Sequence, residues 1–245
     1  MSNPYFRFKQ FTVRHDRCAM KVGTDGVLLG SWTPIGDFRF KIEDCRFLDI
    51  GTGTGLIALM LAQRCPEAQI DAIDIDAAAV EQARENIAAS PWSNRITIHH
   101  SSLKEWQNIK SQITNFKYNL IVSNPPYFVN SLKNPDKQRE LARHADTLPY
   151  HELFSCAASL LAEDGTFAVI LPAEAEAEVI EIGKGTKLYP CHITRVSTKP
   201  GLPAKRVLMA FTKEVCPPKE DTLTIESADS PRSTDYANLT ADFYL

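Results

Sequence analysis

Four consecutive residues, Asn124-Pro125-Pro126-Tyr127, bring together an amide oxygen, two rings that fix φ at successive positions, and an aromatic face. An amino group on a planar heterocycle, or the nitrogen of an amide, is a poor nucleophile because its lone pair is delocalised. Two acceptors aimed at its hydrogens, with no proton offered back, favour the pyramidal nitrogen that attacks. The Asn124 side-chain oxygen and the Pro125 carbonyl can be those acceptors, and the prolines preset the loop so that little ordering remains for the moment of reaction. Tyr127, with Phe128 beside it, offers a surface on which a base can stack, worth roughly 1–3 kcal/mol per base. Transfer of a methyl group to such a nitrogen is an in-line displacement at carbon. Alignment and electrostatics then dominate, and no general base with a tuned pKa is needed. Asn124, Pro125 and Tyr127 are the candidate catalytic residues, with Pro126 and Phe128 at the substrate; a base that starts within a stack must also be flipped out.

A second constellation lies upstream, in Asp49-Ile50-Gly51-Thr52-Gly53-Thr54-Gly55. Glycines at this density let a strand turn sharply into a helix and clear side chains from a ligand's path, while the helix start presents unpaired amides. Asp74 follows Gly55 by 19 residues, at the end of the next strand-like run. An acid placed there can accept hydrogen bonds from the two hydroxyls of a ribose. The glycine spacing is GxGxG rather than the GxGxxG of dinucleotide sites, and an acid two residues ahead of Gly51 suits a cationic ligand rather than a pyrophosphate. The sulfonium and ammonium of S-adenosylmethionine meet that requirement. Asp49, Gly51, Gly53, Gly55 and Asp74 are therefore the candidate cofactor residues.

These motifs need a scaffold that delivers strand ends to one place. From Arg46 to about Phe211, strand-like and helix-like segments alternate, as in a doubly wound sheet with helices on both faces. Strands are expected at Arg46–Ile50, Gln69–Ile73, Arg95–His99, Lys117–Ser123 and Thr166–Leu171. Helices are expected at Gly55–Arg64, Asp76–Ala88 and Leu148–Leu161, the last closed by Gly165. Two further strands, Leu188–Thr198 and Val207–Lys213, flank a turn with Pro200, Gly201 and Pro203 and are most simply antiparallel. The expectation is an α/β fold with a seven-stranded, mostly parallel sheet whose last strand is antiparallel. A basic extension, 1–45, reads as a short strand or hairpin and then a helix capped near Thr24 or Asp25. The core is 46–213, and an acidic tail, 214–245, belongs to the same single domain. The polar insert from Phe128 to about Thr147 has little apolar periodicity and reads as a binding or mobile loop.

The whole chain of 245 residues has a net charge of −3 with 44% hydrophobic residues, ordinary values for a globular protein. Its start lacks the layout of a signal peptide and its longest apolar runs are too short to span a bilayer, so a cytoplasmic protein without membrane contact is expected. Six scattered cysteines without CxxC pairs support neither a disulfide framework nor a zinc site. His99-His100 lacks a third ligand at metal spacing and is expected to be structural; no metal and no obligate protein partner are expected. Charge is unevenly distributed. Residues 1–23 hold Arg7, Lys9, Arg14, Arg17 and Lys21 against Asp16. Residues 183–213 hold Lys184, Lys187, Arg195, Lys199, Lys205, Arg206 and Lys213 and no acid, whereas the tail from Glu214 holds seven acids and two bases. Such patches attract a polyanion even on a slightly acidic protein. Lys205 and Arg206 in the late segment, and Arg139 and Arg143 in the insert, are candidates to grip phosphates.

With both motifs in hand, the chain resembles the class I S-adenosylmethionine-dependent methyltransferases, in the branch that modifies exocyclic amino groups. More narrowly it is similar to the bacterial valine-tRNA adenine-37 N6-methyltransferases. The resemblance spans nearly the whole chain and is carried by Phe11–Trp32, Phe47–Arg64, Ala72–Asp76, Glu85–Trp92, Ser123–Phe128 and Asp235–Leu245. It implies that Lys21, Thr24 and Gly26 lie over the cofactor, that Asp49, Gly51 and Gly53 line its methionine side, that Asp74 holds the ribose, and that Asn124 and Tyr127 bind the target adenine of a tRNA. In one place the chain departs from the pattern. Relatives commonly place an acid after the third core strand, where this chain has Ser101-Ser102, leaving Ser102, Leu103 or a backbone carbonyl to meet the cofactor's adenine. Several readings remain open on the residues: a guanine-N2 methyltransferase of ribosomal RNA, a DNA adenine methyltransferase, a protein glutamine N5-methyltransferase, and a cofactor-binding RNA assembly factor without activity. A nicotinamide oxidoreductase fails on glycine spacing.

Overall fold

The computed structural model describes residues 3–18, 21–35, 45–114, 116–126 and 148–245. Its centre is a sheet of eight strands: β3 (Arg46–Ile50), β4 (Gln69–Asp74), β5 (Ile96–His100), β6 (Tyr118–Ser123), β7 (Leu161–Pro172), β8 (Tyr189–Ser197), β9 (Arg206–Thr212) and β10 (Lys219–Thr224). Their order across the sheet is β10-β8-β9-β7-β6-β3-β4-β5, and β9 runs antiparallel to both its neighbours while every other pair is parallel. A separate hairpin, β1 (Tyr5–Arg7) and β2 (Thr12–Arg14), is antiparallel.

Both faces of the sheet are covered, which is why the inner strands read as continuous apolar runs rather than as alternations. Phe47, Leu120, Val122, Ala168 and Ile170 point into one core, shared with α1 (Thr24–Trp32), α2 (Leu56–Arg64) and the hairpin. Leu48, Ile121, Phe167, Val169 and Phe211 point into the other, under α4 (Leu103–Ser111), α5 (Tyr150–Leu160) and α6 (Glu176–Gly185). Helix α3 (Ala77–Ala88) starts at Asp76, whose carboxylate accepts from the Ala78 amide at 2.9 Å, and α7 (Thr234–Leu239) starts at Ser233. Two glycines let α1 lie flush on α2: a Cβ on Gly26 would meet Leu56 at 3.0 Å, and one on Gly30 would meet Met60 at 2.6 Å.

Several expectations need correction. The sheet has eight strands, not seven, because the tail contributes β10 in parallel register with β8. Its sequence, Lys-Glu-Asp-Thr-Leu-Thr, buries only Leu223, as an edge strand that discourages further pairing should. Charge holds it in place: Arg195 of β8 donates to Glu220 at 2.8 Å, and Asp221 meets His192 at 3.0 Å. The tail's acids thus neutralise bases of the segment before it, including Lys199 through Glu226 at 3.5 Å. Gly165 does not close a helix; α5 ends at Leu160, and Gly165 lies inside β7, where a Cβ would meet Leu161 at 2.9 Å and the Asn119 carbonyl at 3.0 Å. Helix α1 takes its N-cap from Gly23, with no side-chain cap. Helices α4, α6 and α7 have no counterpart among the expected elements.

Candidate active site

Ser123, Ile50 and Ile73 form one row across β6, β3 and β4, paired residue to residue in parallel register. The residues that follow are Asn124, Gly51 and Asp74. Neighbouring strands lie about 4.8 Å apart, so the three motifs, separated by up to 73 positions in the chain, emerge side by side at the carboxyl ends of adjacent strands. The Ser123 hydroxyl donates to the Ile50 carbonyl at 3.0 Å and fastens the first two together. Strand order also reverses here: the chain leaves β3 for β4 on one side and later fills β6 on the other, the position where open α/β sheets bind ligands.

The glycine loop is clipped to the end of β4. The amides of Gly51 and Thr52 both donate to the Ile73 carbonyl at 3.0 Å, and the Gly53 amide donates to the Asp74 carboxylate at 2.7 Å. Gly51 and Gly53 have φ of +72° and +54°, which L side chains rarely adopt, and a Cβ on either would meet nothing within 4 Å among the described residues. The open side of the loop is therefore bare backbone that a ligand can approach.

Asp49 stands behind the loop, fully buried. One carboxylate oxygen accepts from the Thr52 hydroxyl at 2.6 Å and from the Ala58 amide, in the first turn of α2, at 3.2 Å. The other has no hydrogen-bond partner among the described residues. Burial pushes this carboxyl up to about 7, against the pull of those two bonds and with a further push from Asp74. A buried acid that is satisfied on one oxygen only is stabilised as an anion by a nearby positive charge. Asp74 is half-buried, accepts from the amides of Gly53 and Asp76 at 2.7 and 2.9 Å, and is likewise shifted upward, by burial first.

The N-terminal segment crosses this region. Asn86 of α3 accepts from the Arg14 amide at 2.8 Å, and its own amide group donates to the carbonyls of Arg14 and Thr54, each at 2.9 Å. Arg17 pairs with Glu85 at 2.8 Å. The Cys18 thiol is raised to about 11, by burial and then by the charges of Asp74 and Asp76, so the segment comes near the Asp74 carboxylate. Lys21 and Thr24 are exposed beyond it; Gly26 is buried against Leu56, so packing alone accounts for the glycine.

The model of the methyltransferase small domain family matches residues 37–184, which hold the glycine loop, Asp74 and the Asn124 loop. The chain belongs to that family. Curated relatives match it from end to end. A tRNA1(Val) (adenine(37)-N6)-methyltransferase of Phocaeicola vulgatus is 51% identical over 100% of this chain and 99% of the relative. One of Bacteroides fragilis is 50% identical over the same shares. Among solved structures, a predicted O-methyltransferase from Agrobacterium tumefaciens superposes with a TM-score of 0.66 at 20% identity, over 89% of this chain and 96% of the other, a likeness of fold. A methyltransferase family implies a methyl donor. The unpartnered oxygen of Asp49 and the bare backbone of Gly51 and Gly53 fit S-adenosylmethionine, which brings positive charge and must lie close to the chain.

The remaining predicted residues of this family member divide three ways. Asn124 is half-buried, Pro125 buried and Pro126 exposed, at the end of β6. Ser102 caps α4 in a reciprocal box: its hydroxyl donates to the Glu105 carboxylate at 2.8 Å and accepts from the Glu105 amide at 3.3 Å. The Ser102 amide, which donates to the same carboxylate at 3.0 Å, and then the Ser102 hydroxyl hold Glu105 below the ordinary carboxylate range. The helix therefore accounts for Ser102 independently of any ligand. Lys205 and Arg206 sit at the same end of the sheet as Asn124, since Arg206 pairs with Pro172 at the carboxyl end of β7. Lys205 is exposed, whereas Arg206 donates to Asp25 of α1 at 2.9 Å. Tyr127, Phe128, Arg139 and Arg143 lie outside the described residues.

His99 and His100 find partners in Asp71 at 2.9 Å and the Ile75 carbonyl at 3.0 Å, and among the described residues no cluster of three or more His, Cys, Asp or Glu could hold a metal. Nor does any described helix have the length and apolarity to cross a membrane. Sequence reasoning missed Asn86, the buried amide that joins hairpin to glycine loop. A polar residue at Gln82 and another four positions on, both on the buried side of an amphipathic helix, was the available signal.

Proposed function

We propose that this protein methylates the exocyclic N6 of an adenine in tRNA, with adenine 37 of a valine tRNA as the target, using S-adenosylmethionine as donor. The observation that carries the reading is the single row of strand ends that presents Asn124, Gly51 and Asp74 next to one another. The full-length similarity to tRNA1(Val) (adenine(37)-N6)-methyltransferases supports the choice of base and RNA.

Each role follows from the chemistry of the residue. Asp74 accepts from the ribose hydroxyls, and Asp49 balances the positive charge of the donor. Bound S-adenosylmethionine supplies an electrophilic methyl carbon whose bond to sulfur breaks as the bond to nitrogen forms. The Asn124 side-chain oxygen and the Pro125 carbonyl accept the two amine hydrogens, which localises the lone pair on nitrogen and points it at the methyl group. One amine proton leaves to water after transfer. Tyr127 and Phe128 stack the extruded base, and Lys205, with Arg139 and Arg143, draws in the phosphates.

Transfer of labelled methyl from S-adenosylmethionine to unmodified tRNA, ribosomal RNA and a release-factor-like protein tests this directly, with the modified product then identified. N6-methyladenosine in tRNA is expected. Label in guanine or in protein would retain the donor site and the NPPY chemistry but remove the tRNA assignment.

A further inference from the structure

The solvent face of the N-terminal hairpin has no part in that chemistry, and among the described residues its side chains have no structural occupation of their own. Tyr5 pairs with Arg14, Phe6 with Val13 and Arg7 with Thr12 across the two strands. Because side chains alternate along a strand, Phe6 and Val13 turn inward to join Phe8 and Phe11 in the core. Tyr5, Arg7, Thr12 and Arg14 share the outer face, all of them exposed.

Three features distinguish this face. Tyr5 is 46% exposed, on a hairpin whose other aromatic residues are buried or half-buried. It stands directly opposite one arginine and two residues from another on the same face, so a flat π surface lies beside two guanidinium groups. Neither arginine has an acidic partner among the described residues, although nearby bases do: Arg17 holds Glu85 and Arg84 holds Glu81, both at 2.8 Å. Five of the seven bases of the late segment differ in the same way, since Lys184, Arg195, Lys199, Arg206 and Lys213 hold acids.

Unneutralised cations flanking an exposed ring complement a polyanion that also has stacking faces, which is single-stranded nucleic acid. The hairpin is also rigidly tied to the reaction centre. Buried Asn86 holds the Arg14 backbone at both its amide and its carbonyl and, with the same amide group, the carbonyl of Thr54 in the glycine loop. RNA seated on the hairpin would therefore be held in fixed register with the donor site.

We propose that the outer face of the hairpin is a docking surface for an unpaired stretch of the RNA substrate, with a base stacked on Tyr5 and phosphates at Arg7 and Arg14. This rests on the RNA reading above and adds to it a surface outside the catalytic loop. The test is binding of a labelled, unmodified tRNA transcript by fluorescence polarisation between about 50 and about 300 mM salt, with methyl transfer to the same RNA followed in parallel. In the Arg7→Gln/Arg14→Gln double variant, log Kd against log salt should become shallower by about 1.4, the loss of two phosphate contacts on a single strand. Tyr5→Ala should weaken binding on the order of tenfold, and Tyr5→Phe should restore it, because the ring rather than the hydroxyl is what stacks. Affinity for S-adenosylmethionine should stay at the wild-type value in all three, which excludes general damage to the fold.

Normal tRNA methylation by wild type, with unchanged affinity and salt slope in the double variant, would overturn the hairpin assignment while the proposed activity stood. Equal weakening by Tyr5→Ala and Tyr5→Phe would overturn the stacking role. A wild-type protein that neither binds nor methylates tRNA would remove the activity itself, and the docking surface with it.

Discussion

The middle of the sheet and its outer edge treat polar groups in opposite ways. At the ends of β6, β3 and β4 there are few, they are buried or half-buried, and one is incompletely matched: among the described residues, fully buried Asp49 keeps one carboxylate oxygen without a partner. Across β8 and β10 charges are numerous and matched to one another. Arg195 holds both Glu176 and Glu220, and Asp221 draws His192, Thr194 and Lys219. The unpartnered Asp49 oxygen stands behind a loop of bare backbone, where a ligand's positive charge can meet it; the charges that the fold already matches serve as scaffold. The middle of the sheet is accordingly built to receive something, and the edge to hold the acidic tail in place.

If that contrast is right, changes at the middle should alter chemistry or ligand affinity with little effect on folding. Asn124→Ala is expected to have the largest effect, lowering kcat by about 10²–10³ while leaving the Kd for S-adenosylmethionine near wild type, since an acceptor aimed at the amine acts on the transition state. Turnover within a few-fold of wild type in a single-turnover assay would remove Asn124 from the reaction. Asp74→Ala should act on the donor instead. Losing hydrogen bonds between a charged group and the ribose costs about 1.5–3 kcal/mol, a roughly 10- to 150-fold rise in Kd by calorimetry. Equal affinity in the variant would mean that Asp74 serves only to hold the Gly53 and Asp76 amides.

The two regions also differ in how far they could be read from sequence. The glycine loop, Asp74 and Asn124 were legible because each is a short motif at a strand end, and continuous apolar runs such as Leu120-Ile121-Val122 locate those ends without tertiary information. What brings them into one row is sheet order, which no local pattern contains. The eighth strand was illegible for the opposite reason. Lys219–Thr224 alternates nothing, buries one residue, and is a strand only because β8 and its charges are there to pair with. Ser102 shows a related limit: a serine after a strand suits either a ligand contact or a helix cap, and only Glu105 in the reciprocal position reveals the cap. Arg206, read as a phosphate contact, is drawn to Asp25, 181 positions away.

Next in size is a pH effect confined to the middle. Asp49 is raised in the folded protein to about 7 from an ordinary 3.8, chiefly by burial. The folded state therefore binds a proton that the unfolded state releases between those values. Stability from this group is fully present below about 4 and is lost as pH rises through about 7. Binding of a cationic donor has the opposite sign, because it needs the carboxylate. The Kd for S-adenosylmethionine should be about tenfold higher at pH 6 than at pH 8, and Asp49→Asn should bind weakly with that dependence gone. A flat profile in the wild-type protein would mean that Asp49 does not face the donor's charge.

The smallest effects should come from the edge, where the contrast is most easily broken. Lys184 pairs with Glu181 three residues away on α6, and both side chains are largely exposed. Such a pair contributes about 0.2–0.5 kcal/mol to stability, so Lys184→Ala should shift the thermal midpoint by no more than about 2 °C. Arg195→Ala removes two pairs at once and leaves Glu176 mostly buried without its cation, so it should cost about 1 kcal/mol. Neither substitution should alter tRNA affinity or its salt dependence, because these bases already have acids against them. An appreciable rise in Kd for Lys184→Ala, with a flatter salt slope, would show that an ion-paired surface lysine still serves the RNA. Pairing within the fold would then no longer separate scaffold charge from binding charge in this protein.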